Sequence, residues 1–479
     1  MSTEVETKDA ADSDVPAVPS VSATARSEEP AAWRRRRYQV IAGVIAIALI
    51  AAFVANNFLA RQYSPAGAVS QYLGAIQSGD GAAAWSLIQV SAPTTKVDAN
   101  LTDRAALQAA LSSGKPDMKS FVITSSTNAS ASLAAVNFSY ETSGGTKQGT
   151  LSVERSGETS FGFYPVWHVV ITPAVLHIAL SLGSSGVSID GKTIALPSGA
   201  KSALAVLPLA HKIRFIGSQM LEGQTVAVDA FSSSEQTVAY QPTLTSAGLA
   251  AAKMAIKSAF DACAKSTTFT QDGCPQRYDA YFVSSPQWQL VGDPLQDVTI
   301  TFDQDLNASG TGHYQMEIAY QEAGSPGTHH DVASGGYRAN LLLAATSVAV
   351  GSISAADGLP ALQRPSGASD QTAKDLVSKA LTACAGLQLQ FPPDCPQQIV
   401  AAGASNVRWT LSGDPIAGAT VTFDQKSGIF TVHGRFAMSA SYDWLGNAET
   451  QSSFYPAYDA LLCWDGQALV LVTIQGADS

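Results

Sequence analysis

The chain has 479 residues, and at roughly 100 to 200 residues per domain this length predicts two to four folded domains besides any membrane segment. Only 14% of the residues are charged, and the formal net charge is −11. Binding to a phosphate backbone needs clustered Lys and Arg, and the one dense basic run is Arg34–Arg37, so this composition argues against a nucleic-acid partner.

The first 37 residues are expected to form a disordered cytoplasmic tail. Residues 1–33 mix acidic residues with Pro, Ser, Thr and Ala and contain almost no large apolar side chain. Such a segment cannot bury enough apolar surface to offset its conformational entropy.

The stretch Val40–Ala60 is strongly apolar and uncharged, and it predicts a transmembrane helix within residues 38–61 whose partner is the lipid bilayer. About twenty helical residues span a hydrocarbon core of about 30 Å. Arg34–Arg37 precede the stretch, so the positive-inside rule places the N-terminus in the cytoplasm. The expected location is therefore the cell membrane, crossed once, with the bulk of the chain extracytoplasmic.

A cleaved signal peptide is the alternative interpretation of the same stretch. Signal peptides end at small residues in an A-x-A-like pattern. The candidate ends Ala55 and Ala60 have Phe53 and Phe58 two positions earlier, and both are too bulky for that pattern. Retention as an anchor is therefore the favoured prediction.

Residues 64–175 are predicted to form a small α+β domain. A helix begins at Pro65 and carries an apolar face, two shorter helical pieces follow, and four strand-like segments end at Tyr164–Ile171. The economical arrangement is three short helices packed on an antiparallel sheet.

The opening Ala68–Ile88 and the closing Val166–Val170 of this segment resemble the cone-shaped nuclear-transport-factor-two-like fold. That fold recurs in membrane-anchored envelope proteins of actinobacteria. The resemblance implies a cone-like α+β domain, and it leaves the function open because proteins of this fold include enzymes, binding modules and scaffolds.

Residues 178–243 are predicted to form a small β-sandwich domain. Val187–Ile189, Asp190-Gly191 and Lys192–Leu196 form a hairpin pattern, since Asp-Gly readily takes the positive φ angles of a tight turn. This V-x-I-D-G-K hairpin resembles domains of bacterial surface proteins, including the membrane-anchored teicoplanin-resistance-associated family. That family generally carries a cytoplasmic zinc ribbon, whereas residues 1–37 contain no cysteine.

An internal duplication is predicted in the C-terminal half. A set of residues recurs 121 positions later in the chain: Cys263, Cys274, Pro275, Trp288, Gly292–Pro294 and Thr301–Gln304. Residues 246–355 and 368–477 are therefore expected to be two copies of one α+β domain, each a helix followed by antiparallel strands, with the linker 356–367 between them.

Two further pairs extend this alignment. A one-residue deletion in the second hairpin turn would match His313 with His433, and Tyr337 matches Tyr458 at the original offset. Matched residues such as Asp303 and Asp424 indicate shared packing or shared binding, and packing is favoured. Trp288 and Trp409 are likewise expected to be core anchors.

Four of the five cysteines predict one disulfide in each copy, Cys263–Cys274 and Cys384–Cys395. Thiols outside a membrane meet an oxidising environment, and the two pairs fall at the same place in both copies. A redox or metal site would need closer pairs such as C-x-x-C or neighbouring His ligands. Cys463 is left over in an apolar run, and it is expected to be a buried free thiol.

The candidate chemical motifs are weak. Ser112-x-x-Lys115 and Ser198-x-x-Lys201 match the serine–lysine pattern of acyl-enzymes, but the companion S-D-N and K-T-G elements are absent. His329-His330-Asp331 offers metal-ligand side chains, but adjacent side chains on a strand point apart, and a solvent-exposed loop is favoured. No catalytic residue, metal site or cofactor is predicted.

Two hypotheses for the function follow. The first is a non-enzymatic, membrane-anchored binding or scaffold protein of the bacterial cell envelope, with a cell-wall polymer or an envelope protein as its partner. The second is an envelope hydrolase or transferase with a pocket in the first α+β domain, where His168 would act in acid–base catalysis. A cavity lined by His168 and a carboxylate would favour the enzyme.

Overall fold

A computed structural model describes residues 31–478 except 94, 115–117 and 231–234. The described residues form a mixed α/β protein with six helices, twenty-five strands arranged in several small sheets, and two disulfides. Most of the predicted cytoplasmic tail lies outside the described residues.

The N-terminal helix is α1 (Ala31–Gln62). Its part Arg36–Gln62 is 27 residues long, apolar enough to cross a membrane, and not buried by the rest of the protein. An exposed apolar helix of this length needs an apolar environment, which a bilayer supplies.

The next segment places short helices on a five-stranded sheet. Ser64 caps the first helix by accepting a hydrogen bond from the backbone N–H of Gly67, and Gly79 ends that helix with a left-handed φ of 79°. The sheet order is β1-β6-β5-β4-β3, with β1 parallel to β6. The elements are α2 (Pro65–Ser78), α3 (Gly81–Ser86), β1 (Ile88–Val90), β2 (Ala99–Leu101), α4 (Arg104–Ser113), β3 (Ser120–Asn128), β4 (Leu133–Thr142), β5 (Gly145–Ser160) and β6 (Tyr164–Ile171).

Two four-stranded sheets follow and share one apolar core. The strands are β7 (Ala174–Ala179), β8 (Gly186–Ile189), β9 (Lys192–Ile194), β10 (Lys201–Val206), β11 (Ala210–Ile216), β12 (Gln224–Asp229) and β13 (Glu235–Val238). The sheet orders are β13-β7-β10-β2 and β12-β11-β8-β9. The edge strand β2 comes from the preceding segment and pairs in parallel with β10.

The Asp190-Gly191 turn has the predicted positive φ angles, 51° and 85°. The Asp190 carboxylate is buried there and accepts hydrogen bonds from the His211 ring at 2.7 Å and the Ser113 hydroxyl at 2.7 Å. His211 also places its other ring nitrogen 2.7 Å from the Leu207 carbonyl. Since Ser113 belongs to α4, its hydrogen bond to Asp190 links the two four-stranded sheets to the preceding α/β segment.

The C-terminal half contains the segments 246–355 and 368–477. The first has α5 (Ser246–Cys263), β14 (Val283–Leu290), β15 (Thr299–Phe302), β16 (Ala308–Glu322), β17 (Thr328–Leu343) and β18 (Val348–Ala355). The second has α6 (Asp370–Cys384), β19 (Ser405–Ser412), β20 (Thr420–Phe423), β21 (Phe430–Arg435), β22 (Ala437–Trp444), β23 (Asn447–Ser452), β24 (Ala457–Trp464) and β25 (Leu469–Ala477). The long strand β16 of the first segment has β21 and β22 as its counterparts in the second.

The same contacts recur in these two segments. Each helix ends at a disulfide cysteine whose carbonyl accepts a hydrogen bond from a buried glutamine, Gln276 in the first segment and Gln397 in the second. Trp288 and Trp409 both lie in apolar cores, as expected, and each donates its indole N–H to a backbone carbonyl. These equivalent contacts are separated by the same 121 residues as the sequence matches.

The strand register corrects one alignment. Gly312 pairs with Tyr337 in the first segment, and Gly434 pairs with Tyr458 in the second. The turn that begins at Asp424 is therefore one residue longer than its counterpart, not one shorter, and Gly428 accommodates this with a φ of 74°.

The predicted match of His313 with His433 is consequently wrong. His433 pairs with Thr420, as Thr311 pairs with Thr299, so His433 corresponds to Thr311. His313, two residues further along β16, corresponds to Arg435. The two histidines therefore lie at different positions of the two segments.

Candidate functional site

A cleft opens where the segments 246–355 and 368–477 meet. It is narrow, with a cavity volume of about 40 Å³, and it is open to solvent. Gln315 of β16 crosses the boundary beside it and donates its side-chain N–H to the Ser427 carbonyl at 3.0 Å. The lining residues come from both segments and the linker: Gly292, Asp293, Gln296, Asp297, His313, Tyr314, Gln315, Leu362, Gln363, Pro365, Phe423, Ser427, Gly428 and Trp464.

His313 and Asp297 form the central pair of this cleft. The imidazole Nδ1 lies 2.5 Å from one oxygen of the Asp297 carboxylate, and the backbone N–H of His313 donates to the other at 3.0 Å. His313 is only 8% exposed. Because the carboxylate accepts the Nδ1 proton and fixes the ring, Nε2 is the nitrogen left for other partners. It makes no hydrogen bond to any residue that the structure describes.

The other cleft residues combine polar and aromatic groups. Asp293 and Gln363 supply polar side chains, while Phe423, Trp464 and Pro365 supply apolar surface. The cleft therefore offers hydrogen-bond donors and acceptors beside an aromatic wall.

The two hydroxyl groups at the cleft are occupied by structural hydrogen bonds. Ser427 donates its hydroxyl to Asp424 at 2.6 Å, and Tyr314 donates its hydroxyl to the Pro275 carbonyl at 3.0 Å. Neither hydroxyl is hydrogen-bonded to His313 in the part of the chain that the structure describes.

A second polar contact between the two segments centres on His330. Asp394 accepts hydrogen bonds from the backbone N–H of His330 at 2.8 Å and from its Nδ1 at 2.5 Å. Thr473 donates its hydroxyl to the same carboxylate at 3.2 Å. On the other side of the ring, Nε2 lies 3.7 Å from Glu317. Burial and the charge of Asp394 raise the pKa of Glu317, and His330 partly offsets them.

The expectation that His329-His330-Asp331 forms a solvent-exposed loop is wrong. The three residues lie within β17 and are only partly exposed. His329 is 2.9 Å from the Ser325 hydroxyl, and Asp331 accepts a hydrogen bond from Tyr278 at 3.1 Å. Their side chains bind different partners, and the described residues contain no group of three His, Cys, Asp or Glu side chains that could hold a metal ion.

Both expected disulfides are present. The Cα–Cα distances are 5.7 Å for Cys263–Cys274 and 5.8 Å for Cys384–Cys395. Each bond ties the end of a helix to the following loop, and such bonds persist in oxidising compartments outside the cytoplasm. Because Asp394 directly precedes Cys395, the second disulfide also holds the loop that binds His330.

Cys463 is a buried free thiol, as predicted. Burial and the nearby charge of Glu317 raise its pKa to about 12. Its counterpart Leu342, on the equivalent strand of the first segment, is 53% exposed. The surroundings of these two equivalent positions therefore differ: Cys463 on β24 is covered, whereas the end of β17 at Leu342 is open.

A separate and larger cavity, of about 300 Å³, lies between residues 64–175 and residues 178–243. Ile76, Met118, Tyr140 and Leu209 line its apolar part, and Asp229 at its edge is ion-paired with Lys147 at 3.0 Å. His168 does not line this cavity; it lies on β6 opposite Glu154.

The two serine–lysine motifs receive no support. Lys201 is ion-paired with Asp305 at 3.2 Å, and Ser198 lies in the preceding turn. Ser112 donates its hydroxyl to the Gln108 carbonyl at 2.6 Å, and Lys115 lies outside the described residues.

Comparison with protein families finds no match, and no curated protein is similar in sequence. Among solved structures, a protein described as "Ntf2 like protein involved in plasmid conjugation" is similar to part of the chain. The similarity is very weak, with 8% sequence identity and a TM-score of 0.13, and it covers 41% of this chain and 78% of that one.

Proposed function

We propose that this protein is a membrane-anchored, extracytoplasmic binding protein of the bacterial cell envelope. In this proposal α1 crosses the membrane once, with its N-terminus in the cytoplasm. It is followed by a cone-like domain (64–175), a small β-sandwich (178–243) and two copies of a disulfide-containing domain (246–355 and 368–477). The exposed apolar helix, the basic run before it and the two disulfides support this arrangement.

The observation that carries the binding role is the His313–Asp297 pair in the cleft between the two copies. The His313 ring is 8% exposed and oriented by a carboxylate, and its Nε2 has no hydrogen-bond partner among the described residues, so it is a preorganised hydrogen-bonding group. An aromatic wall formed by Trp464 and Phe423 lies in the same cleft. A ligand with one apolar face and several hydroxyl groups that lies across the mouth of this narrow cleft satisfies both features, and a sugar ring has this character.

We therefore propose a cell-wall glycan as the ligand, with an envelope protein as the alternative partner. In this proposal the role is non-enzymatic and uses no cofactor. It is supported by the hydroxyl groups of Ser427 and Tyr314, which donate to Asp424 and Pro275 rather than to His313. In this proposal the two copies share one binding cleft and do not form two equivalent sites. The second copy has Arg435 at the position of His313, so it lacks the histidine of the proposed site.

The test is retention of the detergent-solubilised full chain on purified cell-wall sacculi. We expect His313→Ala to weaken retention about tenfold, or roughly 1.4 kcal/mol, because the oriented imidazole of the cleft is lost. The matched control is His433→Ala, since His433 is a half-exposed strand histidine bonded to Asp459 and does not line the cleft.

Equal retention of wild type and His313→Ala would overturn the assignment of the cleft. If the wild type binds no sacculi but cross-links to a discrete membrane protein in a His313-dependent manner, the ligand is an envelope protein. Release of soluble sugar fragments during the incubation would instead point to a hydrolase.

A further inference from the structure

We propose that the turn between β5 and β6 is a second membrane contact, which places Phe161 and Phe163 in the lipid interface beside α1. This inference rests on the proposed membrane anchor and adds a surface through which the folded part of the chain would lie on the bilayer.

The turn is attached directly to the C-terminal part of α1. Tyr164 donates its hydroxyl to the Asn56 side chain at 2.5 Å. Tyr63, just after the helix, stacks on the Tyr164 ring at 5.4 Å and meets Phe161 edge-on at 6.3 Å between centroids. The turn and the helix end therefore form one aromatic cluster.

The position of this cluster along α1 matches the outer boundary of a bilayer. From Arg37 to Asn56 the helix rises about 30 Å, which is the thickness of the hydrocarbon core. With Arg37 at the cytoplasmic boundary, Asn56 reaches the opposite boundary, and Tyr164 lies at the same level through its hydrogen bond. Aromatic side chains are enriched at this level of membrane proteins.

Phe161 and Phe163 are the exposed members of the cluster. Their side chains are 68% and 69% exposed, although both rings belong to a three-residue turn where polar residues are usual. Phe161 also has a φ of 53°, a left-handed conformation that is uncommon for a bulky residue. Two large apolar rings held outward next to an exposed apolar helix continue its lipid-facing surface, and a bilayer is the occupant that covers both.

The test uses the full chain in liposomes, with a fluorophore that reports polarity attached to single cysteines in a Cys463→Ala background. The labelled positions are Phe163→Cys in the turn, Ile47→Cys in the helix as the membrane reference, and Phe454→Cys as a control. Phe454 is also an exposed aromatic residue, 61% exposed, but it lies in the C-terminal segment.

We expect a blue-shifted emission at positions 163 and 47, with quenching by lipids brominated on the acyl chain, and neither effect at 454. Phe161→Ser should reduce the shift at 163 by about half, since it removes the neighbouring ring. Quenching at 47 without quenching at 163 would overturn the turn contact and leave the anchor standing. Absence of quenching at both positions would overturn the anchor and the inference with it.

Discussion

Asp394 holds His330 at two points, through the backbone N–H at 2.8 Å and the ring Nδ1 at 2.5 Å. The backbone of Asp394 has a φ of 54°, and the equivalent residue of the other segment is Gly273, with a φ of 80°. Glycine adopts this conformation without steric cost, whereas aspartate does not. The presence of an aspartate at this position is explained by the contact with His330, which joins the two segments.

Replacing Asp394 with glycine should therefore weaken the contact between the segments, even though it removes the backbone strain of an aspartate with a positive φ. Hydrogen bonds to charged groups contribute about 1.5 to 3 kcal/mol, and partial exposure of both side chains puts this contact at the lower end. We expect faster chymotryptic cleavage after Leu362 in the linker. A double-mutant cycle with His330→Ala measures the coupling, and additive effects of the two substitutions would contradict a direct contact.

The thiol of Cys463 should resist alkylation in the native protein. Its side chain is fully buried and its pKa is raised to about 12, so at pH 8 it stays protonated and covered. Iodoacetamide labelling should require denaturant in the wild type and become faster in Asp394→Gly, because the face of β24 that carries Cys463 is covered by the partner segment. Rapid labelling of the native wild type, detected by mass spectrometry, would refute this.

The two disulfides should differ in their effect on the contact between the segments. Removing either one, as Cys263→Ala/Cys274→Ala or Cys384→Ala/Cys395→Ala, should cost about 3 kcal/mol in the chain-entropy model and lower the thermal midpoint of its own segment. Only the second pair adjoins Asp394. At a temperature where both variants are folded, alkylation of Cys463 should therefore be faster than in the wild type only when Cys384–Cys395 is removed. Equal alkylation rates in the two variants would argue against a role of the loop at Asp394 in the contact.

The buried Asp190–His211 pair predicts a specific loss of stability in acid. Burial raises the pKa of Asp190, but hydrogen bonds from the His211 ring, the Lys212 backbone N–H and the Ser113 hydroxyl outweigh it, so the pKa lies below its ordinary value of 3.8. A carboxyl whose pKa is lowered on folding stabilises the protein above its ordinary pKa. This contribution is lost as the pH falls from 3.8 through the lowered pKa.

Asp190→Asn measures that contribution. The difference in thermal midpoint between wild type and variant should be largest near neutral pH and shrink below about pH 4, where the wild-type carboxyl becomes protonated. Glu235→Gln is the control, since Glu235 is an exposed carboxylate 2.6 Å from the His177 ring. If the difference in thermal midpoint stays constant between pH 7 and pH 2.5, the charge of the Asp190 carboxylate does not contribute to stability.

Features encoded by neighbouring residues could be predicted from the sequence. The helix at Pro65 follows from its cap and its apolar spacing, and the turn at Asp190 follows from the Asp-Gly dipeptide. The disulfides follow from cysteine pairs eleven positions apart in a segment that the sequence predicts to be extracytoplasmic. Each of these depends on a few adjacent positions or on simple spacing.

Features that depend on strand register or on contacts between segments could not be predicted from the sequence. Residue type alone matches His313 with His433, but the register is set by the pairing of Gly312 with Tyr337 and of Gly434 with Tyr458. The His330–Asp394 contact joins residues of two segments, and no periodic pattern encodes it. A usable signal is the difference between the two segments at equivalent positions: one has Asp394 where the other has Gly273, and one has His330 where the other has Thr450.

The pairing of β2 also affects how the chain folds during its synthesis. Ala99 pairs with Leu204, so the sheet that contains β2 cannot be completed when β2 leaves the ribosome, and it stays open until β10 has followed. Contacts of such large sequence separation slow folding. Residues 99–206 must therefore all leave the ribosome before this part of the protein resists proteases. If the chain is divided between β6 and β7, the C-terminal fragment lacks the edge strand β2, and β2 in the N-terminal fragment lacks the strand β10 with which it pairs.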